Sequence, residues 1–436
     1  MANAFRTLAL LGGTKLVTER GDEGWRIITD HEKKAVMALL DKGTVTIVGG
    51  TGVIREFEEK FSKFQEAKFA LAMNSGTATL HSAYFAVGIG PACEVIVPSY
   101  TWHATITPIL HCAATPVFCD IDPRTLTADP KDIRRRITPR TKAIVVVHTW
   151  GNIAQMDEIM AIAREHNLKV VEDCSHAHGG SYKGKKVGTF GDIGCFSLQG
   201  NKPVSGGEAG VAITDNPEYY DRMLLLGHFG RIASEAKTGL FKSLGDMSLG
   251  AKYRPHAYAM AIANAQLDRL PELNRLRTHN YRILNEELRG IPGIETVEPL
   301  PGAQRAGFLE FKLIYDPRQL QGVGRDRFAE AVKAEGAPMT VDRYSSFNYT
   351  YGLLHLAPLF NEFDRSKLGG CFYDFKAAEA PGTRLWAPGS LPVTEDIGQR
   401  LLTFPAFTQM PEPFIRQCAQ AVRKVATHIE ELKQPA

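Results

Sequence analysis

Between residues 94 and 214 the chain contains six short segments of almost unbroken apolar residues, and this series limits the possible folds more than any other feature. Segments of this kind are typical of strands buried on both faces of a sheet. Helical patterns such as "MDEIMAIAREHN" (156–167) lie between them. The alternation predicts an α/β fold in which helices wrap a mainly parallel sheet. The predicted strands span 94–98, 115–121, 143–149, 168–174, 193–198 and 210–214.

The pattern changes after about residue 280, which indicates a second structural unit. The segment 307–316 alternates like a half-exposed strand, and helical patterns follow at 325–336 and 413–432. Residues 336–395 are rich in glycine, proline and tyrosine and are predicted to be mostly loop. We therefore predict an N-terminal arm (1–30), a large α/β domain (31–280) and a smaller α+β domain (281–436).

The composition is that of an ordinary globular protein, and it argues against several classes of function. Of 436 residues, 44% are hydrophobic and 23% are charged, and the formal net charge is only +3. Nucleic-acid-binding proteins usually have clustered basic charge, so we expect no nucleic-acid partner. The sequence has no secretory signal and no apolar run of about 18 residues, so we expect no membrane span. Seven cysteines without a CxxC pair indicate a reduced, cytoplasmic protein.

Chemically useful side chains follow several of the predicted strands. Ligands of open α/β sheets bind outside the carboxyl ends of the strands. After a helix-and-strand unit near residue 70, Ser75, Gly76 and Thr77 precede a helical pattern. Free N–H groups there form an anion site, unless the hydroxyl groups serve only to cap the helix. Asp173 stands at the end of the strand predicted at 168–174.

Lys202 stands alone among small and polar residues in "CFSLQGNKPVSGGEAG" (195–210), five positions after Ser197. Desolvation disfavours the charged form of a lysine and lowers its pKa towards the range of Schiff-base chemistry. An anion site, a strand-end carboxylate and a single lysine match the phosphate, the ring nitrogen and the aldehyde of pyridoxal 5'-phosphate. We therefore predict this cofactor.

Two other kinds of site fit the sequence less well. His176 and His178 are potential metal ligands, but no third ligand has suitable spacing, so we predict no metal site. The segment "VGGTGVIREF" (48–57) suggests a dinucleotide-binding loop, but Arg55 stands where the third glycine should lie. No strand that ends in an acidic residue follows at the distance this motif requires.

The order of several motifs along the chain resembles the DegT/StrS-type sugar aminotransferases, a family of fold-type-I pyridoxal-phosphate enzymes. The motifs are "NSGTATLH", "EVIVPSYTWHAT", "VVEDCSHAHGG", "GDIGCFSLQGNK" and "SGGEAG". The resemblance covers residues 30–260 and continues weakly towards the C-terminus. It implies a large, mainly parallel domain that binds the cofactor and a smaller C-terminal α+β domain.

The resemblance implies roles for individual residues. Lys202 would bind the cofactor covalently and move protons, and Asp173 would lie beneath the pyridine nitrogen and keep it protonated. Glu172 is the alternative acid, but it should point to the opposite side of an extended strand. Trp102 would stack on the cofactor ring, and His176 would lie near its phenolic oxygen. The implied ligands of the phosphate are Ser75, Gly76, Thr77 and Ser197.

The resemblance also implies a homodimer with shared active sites. In the family, a Gly-x-Asn-x-Arg loop of the partner subunit completes the phosphate site. The matching segment here is "LGAKYRPH" (249–256), in which Lys252 stands where asparagine is usual. A lysine can still bind phosphate as a point charge. Pro203 and Ala209 also depart from the family pattern, but neither departure removes a reacting group.

The implied reaction is the transfer of an amino group from L-glutamate or L-glutamine to a keto-sugar or keto-cyclitol. Such a reaction belongs to the biosynthesis of an amino sugar, an aminocyclitol or a related secondary metabolite. The lysine favours transamination, because some relatives that lack it are dehydratases. Dehydration, aromatisation or isomerisation of a sugar-like substrate with the same cofactor is the alternative. Candidate acceptor contacts, each also explained by ordinary packing or pairing, are Tyr344, Tyr351, His355, Tyr373 and Arg254.

Overall fold

A computed structural model of the chain describes residues 7–21, 28–345, 352–361 and 386–433. Its strands are β1 (Phe69–Met73), β2 (Glu94–Pro98), β3 (Thr115–Cys119), β4 (Thr141–Val147), β5 (Lys169–Asp173), β6 (Ser181–Tyr182), β7 (Lys185–Lys186), β8 (Ile193–Ser197), β9 (Gly210–Thr214), β10 (Ile294–Thr296), β11 (Ala303–Gln304), β12 (Glu310–Tyr315), β13 (Thr340–Val341) and β14 (Leu401–Pro405). Its α-helices are α1 (Asp30–Asp41), α2 (Gly52–Gln65), α3 (Gly76–Ala86), α4 (Thr107–His111), α5 (Pro130–Arg136), α6 (Met156–Glu165), α7 (Pro217–Gly227), α8 (Ile232–Glu235), α9 (Gly239–Lys242), α10 (Ala257–Leu288), α11 (Arg325–Ala334), α12 (Pro358–Asn361), α13 (Pro392–Arg400) and α14 (Glu412–Thr427).

Seven strands form the main sheet, in the spatial order β1-β9-β8-β5-β4-β2-β3. The pairs β3-β2, β2-β4, β4-β5 and β5-β8 are parallel, whereas β9 is antiparallel to both of its neighbours, β8 and β1. Strands β2 and β9 are buried along their whole length, as their unbroken apolar sequences require. The prediction of a mainly parallel sheet is confirmed, and β9 is the strand that runs against the others.

The predicted strands coincide with β2 to β5, β8 and β9, and the bounds of β2 and β9 agree at both ends. The strand predicted at 143–149 instead spans Thr141–Val147. The strand ends at Val147 because a short 3-10 turn follows at Thr149–Gly151. In this turn the backbone of Trp150 has a left-handed conformation, with φ of 55°. The helix predicted at 413–432 ends at Thr427.

Beyond α10 the chain forms a second, four-stranded antiparallel sheet in the order β10-β12-β14-β13. With α11 and α14 it encloses a hydrophobic cluster separate from the cluster around the main sheet. The 32-residue helix α10 contributes side chains to both clusters. The predicted boundary between residues 280 and 281 lies within this helix, and the division into domains stays a prediction.

The described part of the predicted arm, residues 7–21, lies against the second sheet. Leu8 and Val17 are buried in its hydrophobic cluster. The Glu335 carboxylate accepts hydrogen bonds from the backbone N–H groups of Ala9 (2.8 Å) and Leu16 (3.0 Å). These residues of the arm are therefore part of the same packed unit as α11.

Three regions singled out in the sequence take other forms. The described chain between α1 and α2 contains no strand, so the glycines at 49–52 do not follow a strand and the dinucleotide-binding alternative is wrong. The described parts of 336–395 contain β13, α12 and the start of α13. No helix within the described ranges combines the length and the apolar character needed to cross a membrane.

A buried arginine joins α2, β1 and α8. The Arg231 guanidinium pairs with Glu58 (2.8 Å) and Glu235 (2.7 Å), and all three side chains are buried. Glu58 also accepts a hydrogen bond from the backbone N–H of Ala72 in β1 (2.9 Å). The ion pairs therefore hold β1, the strand that leads directly into the predicted anion site.

Replacing Arg231 by methionine should lower the free energy of unfolding by about 3–5 kcal/mol, because the buried Glu58 carboxylate would lose its ion-pair partner and Glu235 would keep only Arg55. Urea unfolding followed by circular dichroism measures the loss. Arg275→Met is the matched control, because Arg275 pairs with Glu272 on the exposed surface, and it should unfold like the wild type. Equal stabilities of the two variants would contradict a structural role for the buried network.

Candidate active site

The carboxyl ends of β4, β5 and β8 and the N-terminus of α3 surround a cavity of about 350 Å³. This is the edge of the sheet at which ligands of α/β proteins bind. Eight of the predicted site residues line it, namely Ser75, Gly76, Thr77, Trp102, Asp173, His176, Ser197 and Lys202.

Lys202 lies in the loop that follows β8. Its backbone N–H donates to the carbonyl of Gln199 (2.8 Å), which closes a turn. Desolvation lowers the pKa of the Lys202 ammonium to about 8; the charge of Asp173 opposes this shift and that of Arg343 adds to it. The nucleophilic amine is therefore populated at a pH at which an ordinary lysine is almost fully protonated.

Asp173 ends β5, and its side chain lines the cavity. Its carboxylate accepts hydrogen bonds from Thr105 Oγ1 (2.8 Å) and from the backbone N–H of Ser175 (3.1 Å), which fix its orientation. Glu172 is fully buried and accepts the backbone N–H of Gly188 (2.8 Å) instead. Alternation along the strand thus leaves Asp173 as the acid available to a ligand.

Helix α3 begins at the cavity with Gly76. The Ser75 hydroxyl accepts a hydrogen bond from the backbone N–H of Ala78 (3.1 Å), so it does cap the helix. Gly76 and Thr77 also line the cavity, which presents the first turn of the helix to it, and helix N-termini attract anions. Glycine is required at position 76, because a Cβ there would lie 2.7 Å from the Cβ of Ser197.

Aromatic rings form the wall beside the end of β5. His176 stacks on Trp150 with ring centroids 4.8 Å apart, and its Nδ1 accepts the Trp150 backbone N–H (3.3 Å). Desolvation and nearby cations lower the pKa of His176 well below its usual value, so the ring is neutral and its proton is on Nε2. Tyr344 Oη approaches that Nε2 at 3.5 Å. The Trp102 ring is 40% exposed and lies 5.9 Å from that of Tyr344.

His178 has different surroundings from His176. Its Nε2 lies 3.0 Å from the carbonyl oxygen of Ser197. Burial lowers the pKa of His178 to about 3, so it too is neutral. The two histidines of "SHAHGG" therefore serve different parts of the structure.

Lys252 is the predicted site residue that does not line the cavity of its own chain. Its carbonyl accepts a hydrogen bond from the Asn74 side-chain amide (3.4 Å), so its loop is held beside the N-terminus of α3. Its side chain is exposed.

The candidate acceptor residues divide into three groups. Tyr344 lines the cavity. His355 is buried elsewhere, where its Nε2 lies 3.1 Å from the Glu395 carboxylate, and Arg254 is also outside the cavity lining. The packing interpretation therefore holds for His355. Outside the described residues lie Tyr351 and Tyr373.

Thr105 and Arg343 are among the residues that line the cavity and were not predicted from the sequence. Thr105 orients Asp173, and its position within the motif "YTWHAT" was the available signal. Arg343 lines the cavity from the loop after β13. It had no local signal, because only the folded chain brings the second sheet to the edge of the first.

The model of the DegT/DnrJ/EryC1/StrS aminotransferase family matches residues 26–366. The chain belongs to this family. It is a pyridoxal-phosphate-dependent aminotransferase of fold type I, as the resemblance implied.

Individual relatives agree with this assignment. The chain is 32% identical over 415 residues to the L-glutamine:2-deoxy-scyllo-inosose aminotransferase of Streptomyces kanamyceticus, with 93% of each chain covered. It is 40% identical over 242 residues to the GDP-perosamine synthase of Caulobacter vibrioides, covering 56% of this chain and 63% of that one. The crystal structure of an aminotransferase from Psychrobacter cryohalolentis superposes with a TM-score of 0.79 at 28% identity, covering 93% of this chain and 99% of that one.

The cavity fits the cofactor of this family. A lysine amine with a lowered pKa, a carboxylate held by two hydrogen bonds and the first turn of a helix all line one cavity. These groups suit the aldehyde, the ring nitrogen and the phosphate, respectively. The role of each single residue stays a prediction.

Lys202 should react with an amine-directed reagent at a lower pH than an exposed lysine. In the cofactor-free protein its labelling should reach half its maximum near pH 8, because only the free amine is nucleophilic. Lys183 is the control, because its ion pair with Asp157 raises its pKa, and it should react only at higher pH. Mass spectrometry of peptides after brief acetylation measures both curves, and coincident curves would contradict the lowered pKa of Lys202.

Proposed function

We propose that this aminotransferase moves the amino group of L-glutamate or L-glutamine to the ketone of a sugar or cyclitol. The observation that supports it most is that Asp173, at the end of β5, and Lys202, in the loop after β8, line one cavity. The bound cofactor supplies an electron sink and carries the amino group between donor and acceptor, and it needs a lysine amine and an acidic partner for its ring nitrogen.

In this proposal Lys202 binds the cofactor and then moves protons. Its lowered pKa suits both tasks, since a general base works best with a pKa near the operating pH. Asp173, oriented by Thr105, holds the ring nitrogen in its protonated form. His176 would offer its Nε2–H to the phenolic oxygen, and the exposed ring of Trp102 would offer a stacking surface to the cofactor ring.

The phosphate binds at the start of α3 in this proposal. Gly76 and Thr77 offer backbone N–H groups of the first helical turn, where the helix dipole favours an anion. The Ser75 hydroxyl accepts the capping hydrogen bond and remains able to donate its own proton. Ser197 lies against Gly76 and adds a second hydroxyl.

A keto-cyclitol is the preferred acceptor and L-glutamine the preferred donor in this proposal. The relative named for 2-deoxy-scyllo-inosose and L-glutamine aligns over 93% of the chain, whereas the GDP-perosamine synthase aligns over 56%. The longer alignment includes the second sheet, which contributes Arg343 and Tyr344 to the cavity. The product would be an amino sugar or an aminocyclitol.

We also propose a reducing, cytoplasmic location. The six cysteines within the described residues are free thiols. Cys119, Cys174 and Cys195 are buried in or next to the main sheet, where they pack as small apolar side chains.

The two half-reactions should be separable. With L-glutamine and no acceptor, the holoenzyme should form the corresponding keto acid once per active site and then stop, because donor and acceptor share one cavity. Adding a keto-cyclitol should then yield one equivalent of aminated product. Rapid quenching followed by mass spectrometry measures both products.

Lys202→Ala should abolish both half-reactions, whereas Lys183→Ala on the exposed surface should retain them. If no amino donor yields a keto acid while a sugar or cyclitol is dehydrated or isomerised, the aminotransferase proposal is wrong. The alternative reaction of the same cofactor would then apply.

We further propose a homodimer in which the loop of Lys252 completes the partner's phosphate site. The loop follows a segment whose apolar side chains are open to solvent: Leu240 is 71%, Met247 80% and Leu249 61% exposed. Clustered exposed apolar side chains mark interaction surfaces. The Lys252 side chain is exposed beside this surface and outside the cavity of its own chain.

Mixing Lys202→Ala subunits with Lys252→Ala subunits tests the shared site. After subunit exchange, about a quarter of the sites should be intact, because half of the random dimers are mixed and each mixed dimer has one complete site. Turnover that rises from the level of either variant to about this fraction supports the proposal. Turnover that stays at the starting level after exchange, verified by native mass spectrometry, would place Lys252 in its own chain's site or outside any site.

A further inference from the structure

Arg343 is a cation of the cavity to which the proposed reaction gives no task. It follows β13, and its side chain is 40% exposed and lines the same cavity as Lys202. Among the described residues, Arg343 and Lys202 are the only arginine and lysine whose side chains line the cavity. Because Lys202 is committed to the cofactor, Arg343 is the cation that the same chain leaves available to a substrate.

The guanidinium of Arg343 is only partly paired. Its Nη2 lies 3.0 Å from Glu310 Oε1, and its Cζ lies 5.1 Å from the centroid of the Trp150 ring. Its Nε is buried and has no hydrogen-bond partner among the described residues. Buried polar groups are normally paired, so this N–H remains available to donate to an acceptor on a ligand once the side chain moves.

Glu310 has a second cationic partner. Its Oε2 lies 2.6 Å from the buried Nζ of Lys312. The same Nζ lies 2.6 Å from Asp342 Oδ1 and donates a hydrogen bond to Thr403 Oγ1 (2.8 Å). Glu310 therefore stays paired with Lys312 when Arg343 moves away. The Arg343 guanidinium can leave Glu310 without stranding an unpaired buried charge, which would be costly.

The cavity must accept two molecules of different charge. L-Glutamate and L-glutamine both have an α-carboxylate, whereas the ring of a keto-cyclitol is uncharged. A permanently unpaired cation would suit the donor but would remain uncompensated beside the neutral acceptor. A cation that can pair with a carboxylate of the protein when the acceptor is bound suits both the donor and the acceptor.

We infer that Arg343 exchanges Glu310 for a carboxylate of the amino donor and pairs with Glu310 again when the uncharged acceptor occupies the cavity. The inference rests on the proposed function, because it assumes these two classes of substrate. Arginine binds a carboxylate with two parallel N–H···O bonds, and the free Nε of Arg343 can supply one of them. Lys312 is a positioning residue that holds Glu310 in place during the exchange.

Glutarate, a dicarboxylate without an amino group, tests carboxylate binding separately from the reaction. Calorimetric titration of the holoenzyme should show that Arg343→Gln weakens glutarate binding about 10- to 100-fold, as expected for loss of a hydrogen-bonded charge pair. Glu310→Gln should strengthen it about two- to fivefold, because the internal competitor of the ligand is removed. The double variant should behave like Arg343→Gln alone.

Kinetics should show the same division between substrates. Arg343→Gln should raise the KM for the amino donor by a similar factor and should lower kcat/KM for the keto-cyclitol by a clearly smaller factor, because the acceptor has no carboxylate for Arg343 to bind. Arg343→Lys keeps the charge but loses the planar fork, and its glutarate affinity should lie between those of the wild type and Arg343→Gln. Arg318→Gln is the matched control, because the exposed Arg318 pairs with Asp316 outside the cavity and its loss should change neither quantity. Thermal melting verifies that each variant is folded.

Several outcomes would overturn the inference. Unchanged glutarate affinity in Arg343→Gln, or weakened affinity in Glu310→Gln, would show that the exchange does not occur. If Arg343→Gln weakened GDP binding and not glutarate binding, the ligand of Arg343 would be a nucleotide phosphate. Failure of the proposed function is a separate result, in which the wild-type enzyme transfers no amino group from any donor.

Discussion

Backbone pairing of β5 with β4 and β8 fixes the position of Asp173 at the carboxyl edge of the main sheet. Asp173 pairs with Val147 on one side and with Cys195 on the other. A slip of one residue would exchange the faces of Asp173 and Glu172 and remove the acid from the cavity. Glu172 resists this slip, because its buried carboxylate accepts the backbone N–H of Gly188. Glu172, which does not line the cavity, therefore helps to fix the register that places Asp173 in the cavity.

The main sheet could be predicted because strands buried on both faces leave a continuous apolar signal, as in β2 and β9. Polar residues that follow such strands are then conspicuous, and this is how Asp173 and Lys202 were found. The direction of β9 was missed, because an apolar strand has the same composition in either direction. The available signal was its connection to β8, residues 198–209, which contains no helix; parallel neighbours usually need a longer, helical crossover.

The contribution of the second sheet to the cavity could not be predicted from the sequence. Lys312 stands in a strand of alternating pattern, where a lysine is expected to face solvent. It is buried because Glu310 and Asp342 both pair with it. Glu310 is two residues away in the same strand, whereas Asp342 meets Lys312 only once β12 and the loop after β13 are assembled. The partners of Arg343 depend on the same assembly. Local pattern and residue spacing contain no information about such contacts, and the resemblance was weakest in this part of the chain.

The first described residues of the chain are anchored by residues of its last quarter, Glu335, Gln417 and Glu431. Backbone N–H groups of residues 7–19 donate to the side chains of Glu335, Gln417 and Glu431. A ribosome makes the chain from its N-terminus, so the arm emerges first but its anchors emerge last. The strands of the main sheet are complete once residue 214 has been made, whereas β13 acquires its partner β14 only near residue 405. During synthesis the sheet edge with Asp173 can thus form early. The part of the cavity with Arg343 can form only after β14 has been made, when nearly the whole chain is present.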